Sequence, residues 1–155
     1  MKQVNKSVLL WYSPRQMHDL VTAIEDYPRF LPWCSKAEVL QRHDDGVTAR
    51  LYLHFAGISQ CFTTRNVIVP GSSVHMNLVD GPFSLLDGMW RFLPLGSPEG
   101  TAAGPDSPAC KVEFELRYTF ASRPLELVVS PVFDRIANTF VDAFVKRAEQ
   151  VYGAR

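Results

Sequence analysis

The chain opens on a strand-like pattern that gives way to a helical one. Apolar and polar side chains alternate over residues 4–12, which predicts a β-strand. Ser13, Pro14 and Gln16 then form a helix start, because a capping serine, a proline in the first turn and a glutamine at the third position favour helix initiation. The apolar spacing extends this helix to about residue 25, and a short second helix is predicted over residues 26–31.

Beyond residue 33 the apolar period falls to two, which predicts antiparallel strands. Asp45-Gly46 is a typical hairpin turn before the alternating residues 47–55. Because one set of alternating positions is apolar and the other polar, the sheet is expected to have one buried and one wet face. Further strands are predicted over residues 58–69, 74–78, 86–92 and 110–120, and the Gly- and Pro-rich residues 96–109 predict a mobile loop.

The C-terminal segment has helical spacing. Its apolar stripe is formed by Phe133, Ala137, Phe140, Val141, Phe144, Ala148 and Val151. Ser130-Pro131 is interpreted as the cap and first turn, with a helix over residues 125–129 followed by a kink as the alternative. The elements predict an α+β helix-grip fold in one domain, residues 1–155. A curved antiparallel sheet of six or seven strands wraps around the long C-terminal helix, with two short helices after the first strand.

Composition narrows the class of protein. Sixteen basic and sixteen acidic residues cancel, which gives no support to DNA binding. Three widely spaced cysteines fit a reducing compartment, and no apolar run reaches the roughly 20 residues that span a bilayer. We therefore expect a cytoplasmic protein whose membrane contact, at the inner membrane, is peripheral. The sequence contains no catalytic motif and no metal-ligand spacing, so neither an enzyme nor a metal site or other cofactor is expected.

The segment YPRFLPWC, residues 27–34, is unusually apolar for a connection that two prolines keep irregular. Phe30, Leu31 and Trp33 are interpreted as a lid, a ligand contact or an interfacial anchor above a cavity. The alternative is a hydrophobic plug that closes the core.

Five stretches carry a family resemblance. They are YPRFLPWC (27–34), LHFAGISQCFTTRN (53–66), LVDGPFSLLDGMWRF (78–92), CKVEFELRYTF (110–120) and PVFDRIANTFVDAFVKRAEQVYG (131–153). In these stretches the chain resembles the START-type, polyketide cyclase-like family, which holds coenzyme Q-binding proteins and the ribosome association toxin RatA. The resemblance implies a nonenzymatic protein with an apolar cavity between helix and sheet.

From the resemblance and the apolar patterns we expect ubiquinone or another isoprenoid lipid as the ligand of a carrier or chaperone that supports respiration. The tail is expected along the helix stripe and the quinone head near the mouth. The expected lining residues are Phe30, Leu31, Trp33, Leu86, Trp90, Phe133, Ala137, Phe140 and Phe144.

Two alternatives stay open at this point. One is a RatA-like regulator that binds the large ribosomal subunit, for which the basic residues Arg15, Arg29, Lys36, Arg42 and Arg50 are the candidate contacts or simply a solvated surface. The other is a cyclase or hydrolase, which needs polar groups that point into the cavity.

Overall fold

A computed structural model describes residues 1–96 and 104–155. It contains seven strands in those residues, all paired antiparallel, in the spatial order β1-β7-β6-β5-β4-β3-β2. The strands are β1 (Lys2–Leu10), β2 (Cys34–His43), β3 (Gly46–Phe55), β4 (Ile58–Val69), β5 (Ser73–Asp80), β6 (Phe83–Leu95) and β7 (Ala109–Phe120).

Two α-helices and one 3₁₀ helix complete the described part of the chain. Helix α1 (Pro14–Thr22) and the 3₁₀ helix (Ile24–Arg29) connect β1 to β2, and the 30-residue α2 (Arg123–Tyr152) ends the chain. The buried faces of the sheet and of α2 share one hydrophobic core. The predicted helix-grip fold is confirmed, because α2 supplies the apolar surface that the inward side chains of the sheet need.

Local signals set the start of α1. The Ser13 hydroxyl accepts a hydrogen bond from the Gln16 amide at 3.0 Å, and the Gln16 side chain accepts one from the Ser13 amide at 2.9 Å. This reciprocal pair is the capping box that the sequence predicts. The helix ends earlier than expected, at Thr22, and the next helical segment already begins at Ile24, with Pro28 inside it.

The predicted start of α2 at Ser130-Pro131 is wrong, and the helix over residues 125–129 is right. Ser122 is the N-cap, since its hydroxyl accepts a hydrogen bond from the Leu125 amide at 3.3 Å. Pro131 lies within the helix, where it cannot donate to the carbonyl of Leu127. Both of those residues are exposed, so water can satisfy the freed carbonyl.

Two further predictions concern Val151 and the loop over residues 96–109. Val151, predicted on the apolar stripe of α2, is 47% exposed in the last helical turn. Residues 97–103 of the predicted 96–109 loop lie outside the described residues. In the described part of the chain, neither helix has a stretch apolar enough to cross a membrane.

Candidate functional site

A small apolar cavity lies between the sheet and α2. Its volume is about 60 Å³, which is room for a few water molecules and well below the roughly 300–1,000 Å³ of a typical ligand pocket. Its walls come from β3, β4, β5, β6, β7, α2 and the segment around the 3₁₀ helix. They are lined by Ile24, Tyr27, Trp33, Ala49, Leu51, Phe62, Thr64, Asn66, Met76, Leu86, Phe114, Leu116, Phe133, Ile136, Ala137 and Phe140.

The predicted site residues divide into two groups. Lining the cavity are Trp33, Leu86, Phe133, Ala137 and Phe140. Packed away from its surface are Phe30, Leu31, Trp90 and Phe144.

Phe144 is the centre of the second group. Its ring packs edge to face on Phe30 at 5.1 Å, on Trp90 at 5.3 Å and on Phe140 at 5.1 Å between ring centroids. Such edge-to-face pairs stabilise aromatic clusters beyond the burial of their area. Phe144 therefore supports the cavity wall through Phe140 without forming that wall.

The YPRFLPWC segment is tied to the body of the protein at both ends. The buried Tyr27 hydroxyl donates a hydrogen bond to the Val21 carbonyl, and burial raises the pKa of Tyr27 far above its usual value. At the other end, the His54 amide donates to the Trp33 carbonyl at 2.8 Å. Leu31 and Trp33 are buried, so most of this apolar segment seals the core while Trp33 also faces the cavity.

Trp33 and Ile136 separate the cavity from a shallow surface groove. Both side chains line the cavity on one side and the groove on the other. The Trp33 ring also leans on Phe140, with 6.1 Å between centroids. The outer side of the groove is lined by Pro32, Phe55, Val132, Arg135 and Thr139.

Leu86 separates the cavity from a second groove, on the outer face of the sheet. At this groove the pairing between β5 and β6 stops. In the described residues it extends from Ser73–Arg91 to Asn77–Asp87. The two flanking ladders also carry register shifts at this level, which skip Val79 of β5 toward β4 and Ser84 of β6 toward β7. Bulges of this kind end strand pairing locally.

Gly88 allows a neighbouring side chain to pack closely against β6. A Cβ at this position would lie 2.5 Å from Met76 Cε and 3.3 Å from Leu116 Cδ1. The glycine thus leaves space for Met76, a flexible side chain that lines the cavity.

Sequence reasoning missed the polar part of the wall. Thr64 and Asn66 are buried, line the cavity, and are joined by a hydrogen bond from Thr64 Oγ1 to Asn66 Oδ1 at 2.7 Å. The available signal was the alternation along β4, since both residues share the inward face with Phe62.

The basic residues considered for RNA contact all have polar partners on the protein. Four of them make ion pairs with acids: Arg15 with Asp106, Arg29 with Asp26, Lys36 with Glu38 and Arg42 with Glu25. The fifth, Arg50, donates to the Thr63 hydroxyl at 3.1 Å. Exposed pairs of this kind are typical of a solvated surface.

Comparisons with known proteins agree with this architecture. The family model described as polyketide cyclase / dehydrase and lipid transport matches residues 10–145. The ribosome association toxin RatA of Pseudomonas aeruginosa is 42% identical over 150 residues, which cover 97% of each chain. The mitochondrial coenzyme Q-binding protein COQ10 homolog B of Xenopus laevis is 29% identical over 152 residues, 97% of this chain and 59% of that protein.

Solved structures share the fold. A START superfamily protein from Mycobacterium smegmatis has a TM-score of 0.71 and 21% identity, covering 96% of this chain and 98% of that one. The ZhuI aromatase/cyclase from Streptomyces also has a TM-score of 0.71, at 15% identity, covering 96% and 94%. At these identities the likeness concerns the fold alone.

Proposed function

Since the chain belongs to the polyketide cyclase / dehydrase and lipid transport family, we propose that it binds a hydrophobic ligand in the cavity between the sheet and α2. The observation that carries this proposal is an internal cavity walled mainly by aromatic and aliphatic side chains. Ubiquinone or another isoprenoid lipid fits such a wall, because each methylene removed from water contributes about 0.8 kcal/mol.

The ligand must enlarge the cavity to enter. A volume of about 60 Å³ is too small for a quinone with an isoprenoid tail. The side chains that can yield are Trp33 and Ile136, toward one groove, and Leu86, toward the other. Met76, a flexible side chain on the cavity wall, can move beside them. Phe140 is only partly buried and can shift with them.

The proposed role is that of a carrier or chaperone that supports respiration by binding and not by catalysis. The protein acts in the cytoplasm and meets the inner membrane peripherally when it takes up or releases lipid. Exposed apolar side chains support this contact: Phe55 beside the Trp33 groove, and Leu127 and Val128 on the first turns of α2.

The test is native mass spectrometry of gently purified protein, followed by solvent extraction of what is bound. Ala137 lines the cavity and is 3% exposed, so Ala137→Leu fills the space that the ligand needs. Ala143→Leu is the matched control, because Ala143 lies on the same helix and does not line the cavity. We expect bound isoprenoid in the wild type and the control and none in Ala137→Leu. A folded Ala137→Leu protein that carries as much lipid as the wild type would contradict the proposal.

A second candidate function is association with the large ribosomal subunit. The observation that favours it is the 42% identity, along nearly the whole chain, to a protein named ribosome association toxin. The expected result is cosedimentation with large subunits that weakens as salt rises, because phosphate contacts release counterions. Absence of cosedimentation at low salt contradicts it, and a lipid-free Ala137→Leu protein that still sediments shows that the two functions are separable.

A further inference from the structure

Thr64 and Asn66 form a polar pair in an otherwise apolar wall. They are 7% and 5% exposed, and both line the cavity. Their cavity neighbours on the adjacent strands are aliphatic, with Ala49 opposite Thr64 on β3 and Met76 opposite Asn66 on β5. A buried polar pair that serves packing alone is costly, since each unpaired donor or acceptor loses hydrogen bonds to water.

The hydrogen bond within the pair uses only part of the hydrogen-bonding capacity of the two side chains. Within residues 1–96 and 104–155, the hydrogen bond from Thr64 Oγ1 is the one that the Asn66 side chain makes. It occupies Oδ1 of Asn66 and leaves the two N–H donors of the amide, while the Thr64 oxygen keeps its acceptor capacity. The wall therefore presents donors and an acceptor side by side, which suits a carbonyl or hydroxyl oxygen.

The pair also lies away from the groove beside Phe55. Phe55 pairs with Ile58 at the tip of the β3–β4 hairpin. Thr64 and Asn66 are further along β4, at roughly 20 and 26 Å from Ile58 at the usual rise of a strand. An oxygen held by the pair is thus far from the Phe55 groove, and an attached hydrocarbon tail extends toward Trp33 and Ile136.

We propose that Thr64 and Asn66 recognise the oxygen-bearing end of the ligand, which binds with that end far from the Phe55 groove and its isoprenoid tail toward the Trp33–Ile136 partition. This inference rests on the proposed function and deepens it. The sequence predicts the opposite orientation, with the quinone head near the mouth. The class of ligand is an isoprenoid alcohol, ketone or quinone, as opposed to a pure hydrocarbon.

The test uses two probes with closely matched carbon skeletons, farnesol and the hydrocarbon farnesene. Dissociation constants come from the ligand-induced rise of the unfolding temperature. For each variant we compare the ratio of the dissociation constant of farnesene to that of farnesol. The two probes differ in water solubility, but this difference is the same for every variant and so cancels when the ratios are compared. Removing both polar groups by Thr64→Val with Asn66→Leu is expected to lower this ratio roughly tenfold, as for the loss of one hydrogen bond.

Thr63→Val is the matched control. Thr63 is the neighbouring residue, equally buried, but its hydroxyl accepts from Arg50 and does not line the cavity. Its ratio should equal that of the wild type. If the double variant does not fold, Thr64→Val alone serves, because valine is isosteric and favours strands.

Each outcome decides the matter. An unchanged ratio in a folded variant that binds both probes overturns the polar-pair assignment and leaves the proposed function standing. If the wild type binds neither farnesol nor farnesene, both the polar-pair assignment and the proposed function are overturned.

Discussion

Tyr118 of β7 donates a hydrogen bond to Asp134 of α2, with 2.5 Å between Oη and Oδ1. The other carboxylate oxygen accepts from Lys2 of β1 and from the Ser130 hydroxyl, the latter at 3.0 Å. One carboxylate therefore joins α2 to the two strands at the β1 end of the sheet. It fixes the rotation of the helix, and with it the direction in which Phe133, one residue earlier, faces the cavity.

Replacing Asp134 is expected to loosen this junction. Burial alone would raise the pKa of Asp134, but hydrogen bonds from Lys2, Tyr118 and Ser130 outweigh it and hold the pKa below its usual range. Because the carboxylate is about one third exposed, we expect Asp134→Asn to cost about 1–2 kcal/mol at pH 7.

The pH dependence of that loss has a definite sign. A depressed carboxyl pKa stabilises the fold above the unfolded value near 3.8, and this contribution is lost as the pH falls through the folded pKa. Urea unfolding at pH 7 and at pH 3 should therefore show a difference between wild type and Asp134→Asn that shrinks in acid. A difference of equal size at both pH values would contradict the assignment.

His18 makes the fold sensitive to mildly acidic pH. Its ring is buried, packs edge-on to Phe92 at 5.4 Å and faces the Ser73 carbonyl at 3.4 Å. Burial lowers the pKa of His18 below 6.5, against smaller raising effects from the Ser73 carbonyl and Asp19.

The unfolded chain therefore binds a proton below about pH 6.5 that the folded chain binds less readily, and stability falls as the pH drops from 7.5 to 5.5. His18→Gln should flatten that slope in urea unfolding. His54→Gln is the control, because His54 is exposed. An unaltered slope in His18→Gln would place the acid sensitivity elsewhere.

The three cysteines should differ in reactivity. Cys61 is exposed, whereas Cys34 and Cys110 are buried, and burial raises the pKa of each buried thiol to about 11. Since the thiolate is the nucleophile, iodoacetamide at pH 8 should label Cys61 in the folded protein and all three thiols in urea. Peptide mass spectrometry reads the sites, and Cys61→Ser should remove the fast reaction. Rapid native labelling of Cys110 would show that β7 opens.

Two glycines should respond differently to alanine. A Cβ on Gly46 would lie 1.8 Å from the main-chain oxygen of Asn66, which cannot move without breaking the β3–β4 ladder. A Cβ on Gly88 meets the mobile end of Met76 instead. We expect Gly46→Ala to cost about 2–4 kcal/mol and Gly88→Ala about 1 kcal/mol. Urea midpoints measure both, and equal losses would refute the distinction between backbone and side-chain obstruction.

Most of the fold could be predicted from the sequence, because the signals for its elements are local. Alternation marked β4 with its observed bounds, Ile58–Val69, and Ser13 with Gln16 marked the start of α1. Ser130-Pro131 is a signal with two structural interpretations, since it can begin a helix or lie within one. Which of the two applies depends on the surroundings of the segment. Pro131 is tolerated inside α2 because the Leu127 carbonyl, which loses its helical hydrogen bond, lies on the exposed side of the helix and can bind water.

Which apolar residues face the cavity and which fill the core could not be predicted from the sequence, because it depends on the tertiary packing. Phe140 and Phe144 belong to the same helical stripe, yet one lines the cavity and the other supports it from behind. The inward Thr64–Asn66 pair depends likewise on where the curved sheet leaves a gap under α2. A periodic pattern specifies a direction for each side chain, whereas a cavity depends on the distance between two surfaces that lie far apart in the chain.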